Sequence, residues 1–246
     1  MTKTNIAIIG ASGGIGSAFV RLLSQNENNT IYTFARSAVA TAGNAPANNT
    51  AKPSLTHIDY NDEESIRIAA EFAVQTGPLD LVIVATGFLH DQTTMPEKSL
   101  RDLSAESFQK NFLINTIGPA LVAKYFVPKL HKDQRSVFAI LSARVGSISD
   151  NHLGGWYAYR ASKAAVNMVI KTTSIEATRR QKKAIIVGLH PGTVASSLSQ
   201  PFQKNVVPEK LFTPEYSTKK LMNVIQNLEV EDSGKIFAWD GKSINS

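Results

Sequence analysis

The chain has 246 residues, of which 43% are hydrophobic and 19% charged, a composition that suits one large packed domain and disfavours a disordered chain or a coiled coil. The complete absence of cysteine excludes disulfides, thiolate metal sites and a cysteine nucleophile. Lysine and arginine number 26 against 20 acidic residues, and the resulting formal charge of +6 raises the question of a polyanionic partner.

Short apolar runs alternate along the chain with longer segments of helical spacing, a pattern that predicts successive βα units. Most of the runs are continuously apolar, as expected of parallel strands covered on both faces. The seven candidate strands are residues 5–9, 30–34, 54–58, 79–84, 136–141, 184–189 and 235–239. The candidate helices between them are residues 15–23, 63–74, 106–129, 156–179 and 214–228. We therefore predict an α/β fold with a seven-stranded, mostly parallel sheet.

Local signals mark several helix boundaries. Asn61 with Glu64 three residues later resembles a capping box at the start of the second helix. Thr213 before Pro214 places a capping hydroxyl ahead of a proline at the first helical position. Pro119 predicts either a kink in the long third helix or a break between two helices.

Two stretches show neither the periodicity of a strand nor that of a helix. Residues 37–53 are rich in alanine, asparagine and threonine and are predicted to form a surface loop. Residues 195–212 lie between a strand and a helix, and loops of that length in compact domains often act as lids. Neither stretch has the composition of a linker, so we predict a single domain over residues 1–246.

The first strand runs directly into a glycine-rich turn and then a helix. Such a turn lets the backbone approach a pyrophosphate, whose charge is favoured by free N–H groups and the helix dipole; the alternative is a tight turn that binds nothing. The glycines at 10, 14 and 16 depart from the usual G-x-G-x-x-G, and no lysine follows as in a phosphate-loop NTPase. The predicted cofactor contacts are Gly10, Ser12, Gly13, Gly14, Ile15 and Gly16.

The end of the second strand indicates which dinucleotide binds. An acidic residue there would hold the ribose hydroxyls of NAD, whereas Arg36 suits the 2′-phosphate of NADP. We therefore predict NADP(H) in preference to NAD(H), with Ser37 beside Arg36 as a further contact. The alternative is that Arg36 is an ordinary solvated surface arginine.

Tyr159 and Lys163 are four residues apart on a predicted helix, so their side chains share one face. A phenol has a pKa near 10, and an adjacent ammonium with a bound cationic nicotinamide would lower that pKa. The pair therefore predicts a general acid/base. The same spacing occurs by chance in surface helices, but its place between the fifth and sixth strands makes it informative.

The turn G-x-x-x-G-x-G after the first strand, together with Y-x-x-x-K on this helix, resembles the short-chain dehydrogenase/reductase family. The resemblance runs from Ile6 to about Trp239, and the segment from Ser142 to Lys163 is similar to a C-factor-like, carbonyl reductase-like subgroup. It implies a Rossmann-type, doubly wound fold with helices on both faces of the sheet. It also implies an NADP(H)-dependent oxidoreductase that transfers hydride between nicotinamide and a carbonyl or secondary alcohol. In that reaction Tyr159 exchanges the proton and Lys163 also holds the nicotinamide ribose.

The resemblance implies two further catalytic residues. Asn115 matches an asparagine that holds a water in the proton relay. Ser142 is the candidate for a serine that bonds the substrate carbonyl at the end of the fifth strand. Many members carry two serines, then two residues and a glycine, with the second serine catalytic; Ala143 fills that position here. Ser147 is the alternative, as is a site that lacks this hydroxyl.

The resemblance also implies cofactor contacts beyond the glycine turn. Asp59 would contact the adenine amine, unless it is a turn or cap residue. The other implied contacts are Tyr60, Ala85, Thr86, Gly87, Pro191, Gly192 and Val194. The segment V-A-T-G lacks both asparagines of the family's N-N-A-G, and Ser196 replaces a threonine in P-G-x-V-x-T, departures that bear on the subfamily more than on catalysis.

Other partners are expected to be few. The five histidines have no ligand spacing, so no metal is predicted. The densest basic run, residues 179–183, ends the Tyr159 helix and lacks interleaved aromatic residues, which argues against a nucleic-acid site. No apolar run approaches the 18 or so residues of a membrane helix, so a cytoplasmic protein is expected. The resemblance implies a homodimer or homotetramer acting on a small carbonyl or alcohol.

A second hypothesis is a dinucleotide-binding regulatory or signalling protein with weak or no turnover. The presence of Asn115, Tyr159 and Lys163 argues against lost chemistry. Ala143, at the position where many members carry the catalytic serine, keeps this hypothesis open.

Overall fold

A computed structural model describes residues 3–36 and 55–245, and the apolar runs of this part form ten strands. In chain order they are β1 (Thr4–Ile9), β2 (Asn29–Ala35), β3 (Leu55–His57), β4 (Leu81–Val84), β5 (Ser136–Leu141), β6 (Ala184–His190), β7 (Thr193–Val194), β8 (Leu211–Phe212), β9 (Ile236–Ala238) and β10 (Ser243–Ile244). Eight of them form one sheet in the order β10-β9-β6-β5-β4-β1-β2-β3, and β7 pairs with β8 separately. All neighbours in the large sheet are parallel except β9 and β10.

The predicted mostly parallel sheet is confirmed, but it has eight strands rather than seven. The additional strand, β10, has two residues and pairs antiparallel with β9, Ile244 lying opposite Ile236. Two residues are too few to show the alternation by which a strand is recognised in a sequence. The predicted surface loop at 37–53 lies outside the described residues, as do Ser37 and Ser54.

Two apolar cores cover the sheet, one on each face, because successive residues of a strand point to opposite sides. In β1, Ile6 and Ile8 contribute to one core, and Ala7 and Ile9 to the other. The first core packs against α1 (Gly14–Leu23) and α6 (Pro214–Gln226). The second packs against α2 (Glu63–Phe72), α4 (Gly118–Phe126) and α5 (Tyr157–Ala177). Helices therefore lie on both faces, as predicted.

The helix starts agree with the predicted caps in one case and differ in the other. Thr213 caps α6, its hydroxyl accepting a hydrogen bond from the Tyr216 backbone N–H at 3.1 Å. At α2 the cap is Asp62, not Asn61, because the backbone and side-chain nitrogens of Asn61 both donate to the Asp59 carboxylate. Among the helices in residues 3–36 and 55–245, none is long and apolar enough to cross a lipid bilayer.

The long third helix predicted over 106–129 is interrupted. It consists of α3 (Ala105–Phe112), a wider π turn (Leu113–Ile117), α4, and a short 3₁₀ turn (Val127–Lys129). Pro119 lies in the first turn of α4, where its missing N–H is tolerated. Helix α4 resumes at Gly118 and Pro119, as the second of the two predicted alternatives has it, but the chain between α3 and α4 stays helical as a π turn that contains Asn115.

Candidate active site

A cleft of about 570 Å³ opens beyond the carboxyl ends of β1, β2 and β4, the edge at which open α/β sheets bind ligands. Its lining includes nine of the predicted cofactor contacts. They are Gly10, Ser12, Gly13, Arg36, Asp59, Tyr60, Ala85, Thr86 and Gly87. The polar groups in this set come from four separate loops, which only the fold brings together.

The glycine turn leaves space that side chains would fill. Gly10 has φ +82°, and a Cβ there would lie 2.9 Å from Thr86 Cγ2 and 3.0 Å from the Ala85 carbonyl carbon. A Cβ on Gly16 would lie only 2.1 Å from the Gly10 oxygen. Helix α1 begins at Gly14 with Gly13 as its cap, so no side chain bonds its first N–H groups. This bare helix start beside a glycine cradle fits the pyrophosphate of a dinucleotide.

Arg36 and Asp59 lie on the side of the cleft next to β2 and β3. The Arg36 side chain is exposed, and its backbone oxygen accepts a hydrogen bond from His57 Nδ1 at 3.2 Å. Asp59 accepts from the Asn61 backbone N–H at 2.9 Å, and this bond is the main cause holding the pKa of Asp59 below its usual value; Arg36 adds to it. Asp59 therefore both holds its turn and lines the cleft.

Tyr60 and Thr86 close the inner wall of the cleft. Their hydroxyls are 2.8 Å apart and hydrogen-bonded. The Tyr60 ring also lies against the start of α4, where a Cβ on Gly118 would be 1.9 Å from Tyr60 Cδ2. The loop after β3, the end of β4 and the start of α4 are thus packed into one unit.

Helix α5 buries Tyr159 and Lys163 together, with 9% and 3% of their surfaces exposed. Lys163 Nζ donates to the Leu141 oxygen at 2.8 Å and lies 5.9 Å from the centroid of the Tyr159 ring. Burial raises the pKa of Tyr159 to about 12 and lowers that of Lys163 to about 8. The lowering of the Tyr159 pKa that the sequence predicts from the adjacent ammonium is not found here, and burial sets the direction of the shift. At neutral pH the Tyr159 hydroxyl is therefore protonated.

Asn115 is fully buried in the π turn, and its side chain clamps the loop after β4. Its Oδ1 accepts from the Phe88 N–H, and its Nδ2 donates to the Phe88 oxygen, both at 2.8 Å. Both groups of the Asn115 side chain are therefore occupied by partners within the protein.

Ser142 is buried at the end of β5, and its hydroxyl donates to Asn167 Oδ1 at 2.6 Å. Ala143, in extended conformation, projects to the opposite side of the chain. The alternative serine, Ser147, is also buried and accepts from the Asp150 N–H at 3.2 Å. In the part of the chain that the structure describes, no hydrogen bond reaches the Tyr159 hydroxyl.

The segment after β6 joins the site to the predicted lid. Pro191 and Gly192 precede β7, which includes Val194; a Cβ on Gly192 would lie 2.6 Å from the Phe212 ring. The pairing of β7 with β8 ties the two ends of residues 195–212 together. These three predicted contacts do not line the 570 Å³ cleft. The same holds for five other predicted contacts, which are Gly14, Ile15, Gly16, Tyr159 and Lys163.

An aromatic cluster, which the sequence did not reveal, packs the predicted lid, residues 195–212, against the start of α5. The Phe202 ring lies 4.9 Å from Trp156 and 5.6 Å from His90, and Trp156 lies 6.1 Å from Tyr159. His90 Nε2 is also within hydrogen-bond distance of two lid carbonyls, at 3.1 and 3.2 Å. Trp156 adjoins the Y-x-x-x-K segment in the sequence, but its contact with Phe202 is set by tertiary structure alone.

His190 at the end of β6 is held neutral. Burial, with Arg144 nearby, lowers its pKa to about 4, and its Nδ1 has no hydrogen-bond partner among the described residues. Over residues 3–36 and 55–245, no three acidic or histidine side chains are grouped as metal ligands would be.

Residues 4–206 match the family model of the short chain dehydrogenases. The chain belongs to this family and is an NAD(P)-dependent oxidoreductase. An uncharacterized oxidoreductase of Schizosaccharomyces pombe is 27% identical over 249 aligned positions, which cover 96% of each chain. The C-signal protein of Myxococcus xanthus is 30% identical over 171 positions, 70% of this chain and 95% of that one. The NADPH-bound carbonyl reductase from chicken fatty liver has the same fold, with a TM-score of 0.80 over 100% of both chains at 22% identity.

Proposed function

We propose that the protein is an NADP(H)-dependent reductase of small carbonyl compounds, or a dehydrogenase of the corresponding secondary alcohols. The observation that carries this proposal is the buried pair of Tyr159 and Lys163 at the sheet edge that also holds the glycine cradle. The NADPH-bound carbonyl reductase of the same fold supports the choice of reaction.

The chain's own groups fit the parts of NADP(H). The glycine turn and the start of α1 would hold the pyrophosphate, and Arg36 the 2′-phosphate. Lys163 would hold the nicotinamide ribose. When bound, the cofactor supplies or accepts the hydride.

Tyr159 would donate its proton to the carbonyl oxygen during reduction and recover it from the alcohol in the reverse reaction. A buried phenol with a pKa near 12 stays protonated until such a step requires the proton. Lys163 is held in place by the Leu141 carbonyl at 2.8 Å. The Asn115 carbonyl can accept a hydrogen bond from a water that returns the proton from solvent.

Arg36→Ala tests the cofactor preference. We expect the Kd for NADPH to rise about 10- to 100-fold and that for NADH to change by less than about twofold, because only NADPH carries the 2′-phosphate. Fluorescence titration of both cofactors measures this. Arg21→Ala, which removes an exposed arginine paired with Glu215 on the face of α1 and α6, is the matched control. Equal weakening of both cofactors would contradict the assignment.

A regulatory dinucleotide-binding protein is the second candidate function, favoured by Ala143 and by the likeness to C-signal. NADPH oxidation by the purified protein, followed against a panel of aldehydes, ketones and quinones, separates the two candidates. We expect turnover of at least one class. Tight NADPH binding with inactivity across the panel would favour the regulatory function.

Ser142→Ala tests the catalytic role that the sequence predicts for this hydroxyl. Because the hydroxyl is tied to Asn167, we expect a loss of about 1 kcal/mol of unfolding free energy and less than about a fivefold fall in kcat/KM. Urea unfolding and steady-state kinetics measure the two effects. A hundredfold fall in kcat/KM with unchanged stability would instead support the catalytic role. It would also mean that substrate displaces Asn167.

We further propose that the protein forms a homodimer or homotetramer through the helices flanking β5. This proposal is supported by exposed apolar side chains on the π turn before α4 and on α5. They are Ile117 in the π turn and Met168 and Ile175 on α5, with 47%, 66% and 52% of their surfaces exposed.

A further inference from the structure

Glu97, in the loop between β4 and α3, carries a buried carboxylate. Only 2% of its surface is exposed. Within the described part of the chain, no basic side chain forms an ion pair with it. Burying a carboxylate without a counter-ion costs free energy unless hydrogen bonds hold the group. The hydrogen-bond partners of Glu97 therefore indicate its structural role.

Those partners belong to two helices. One oxygen of Glu97 accepts from the Ser107 hydroxyl on α3 at 2.7 Å. The other accepts from the Ala158 backbone N–H in the first turn of α5 at 3.3 Å. The backbone oxygen of Glu97 accepts from the Trp156 N–H at 2.6 Å. Glu97 thus supplies two of the contacts that fix the start of α5, and a third contact ties its side chain to α3.

Helix α5 needs this support because its own sequence provides no cap. Its cap position is Trp156, which has φ +53° and makes no side-chain capping bond. Gly154 and Gly155 before it are also left-handed, with φ +64° and +62°. Helix starts usually rely on a local serine, threonine or aspartate, and a negative group there also complements the helix dipole. Glu97 takes this role from 61 residues away.

The same network reaches the other side of the Tyr159 turn. Asn111 Nδ2 donates to the Ser107 oxygen at 3.0 Å, and its Oδ1 accepts from Asn115 at 3.2 Å. Asn115 also donates to the Ser162 hydroxyl at 3.0 Å, which donates to the Tyr159 backbone oxygen at 2.8 Å. Tyr159 therefore lies between a first turn held by Glu97 and a second turn held by Asn115.

We propose that Glu97 is a positioning residue for the proton donor: it caps the first turn of α5 from the loop after β4 and thereby fixes the Tyr159 hydroxyl. The effect on turnover rests on the proposed function, whereas the capping itself does not. Because Glu97 is absent from the glycine cradle, its loss should leave cofactor binding intact.

The test compares Glu97→Ala with Glu97→Gln. Glutamine keeps one oxygen for Ala158 and can donate its amide to the Ser107 hydroxyl, so it should preserve the cap without the charge. For Glu97→Ala we expect kcat to fall about 10- to 100-fold, with the NADPH Kd changed by less than about threefold, because a displacement near 1 Å is enough for such a loss. Glu97→Gln should restore kcat to within about threefold of the wild type.

Hydrogen exchange read by mass spectrometry supplies a measurement independent of activity. In Glu97→Ala, the amides of residues 157–160 should exchange at least about tenfold faster than in the wild type, while the rest of α5 keeps its protection. Glu97→Gln should keep the wild-type pattern. If the wild type turned over no carbonyl, the proposed function would fail while this exchange result still tested the cap.

Ser107→Ala covers the case in which Glu97→Ala does not fold. It removes one contact of the carboxylate and should produce the same two effects at smaller size, with kcat falling about three- to tenfold. Wild-type kcat and exchange in Glu97→Ala would overturn the proposal. So would a rise in NADPH Kd and in exchange along the whole chain, since that pattern indicates general destabilisation rather than positioning.

Discussion

Replacing Tyr159 with phenylalanine is expected to lower kcat for carbonyl reduction about 10³-fold, because the substitution removes the hydroxyl that we propose as the proton donor and almost nothing else. The ring is retained, so its packing against Trp156 at 6.1 Å should survive. No hydrogen bond from the described residues reaches the hydroxyl, and the NADPH Kd should therefore change by less than about threefold. Steady-state kinetics and fluorescence titration measure the two quantities on one preparation.

Tyr157→Phe is the matched control for this substitution. Tyr157 is in the same helical turn, but residues two apart on a helix point to opposite sides, so its hydroxyl faces away from that of Tyr159. We expect kcat within about twofold of the wild type. If Tyr159→Phe retained full turnover, the assignment of the proton donor would have to be abandoned.

Gly16→Ala is expected to destabilise the protein by about 3 kcal/mol, although alanine normally favours a helix. A Cβ at this position would lie 2.1 Å from the Gly10 oxygen and 2.8 Å from the Gly10 carbonyl carbon. Both are backbone atoms, which cannot rotate away as the end of a side chain would. The whole turn from Gly10 would have to shift, and with it the cradle for the pyrophosphate.

Gly14→Ala, two residues earlier, should have the opposite sign. The nearest atom to a Cβ there is Ser196 Cβ at 3.4 Å, an ordinary contact. The gain in helix propensity, up to about 1 kcal/mol, should then be observed. Urea unfolding of both cofactor-free variants measures the difference. Equal destabilisation by the two substitutions would show that the turn tolerates no side chain at all, contrary to its geometry.

The parts of the fold that were predictable are those with a local pattern. Parallel strands buried on both faces appear as continuous apolar runs, and β5 was predicted with the bounds that the structure shows. Helix α5 could be predicted because its apolar spacing extends over 21 residues. β10 could not, since it exists only through pairing with β9. The cap at Asp62 was missed because two adjacent residues, Asn61 and Asp62, are both good caps, and only the structure shows that Asn61 is held by Asp59 within the same turn.

The same distinction applies to the candidate site. The Tyr159–Lys163 pair and the glycine turn follow from spacing, because each is set by one helix or one turn. The direction of the Ser142 hydroxyl is set by Asn167, 25 residues further along the chain, and no local pattern reports it. The role of Glu97 could not be predicted either, because a glutamate in a polar loop is usually exposed. Only the packing of α3 on α5 buries this one.

The contact between Tyr60 and Gly118 restricts how this sequence can change. The ring of Tyr60 occupies the volume in which any side chain at position 118 would begin. A larger residue at 118 becomes acceptable only with a smaller one at 60, so neither position can vary alone without loss. The two positions, 58 residues apart, should therefore covary among related chains. A chain with alanine at 118 should lack an aromatic ring at 60, and with it the hydrogen bond to Thr86.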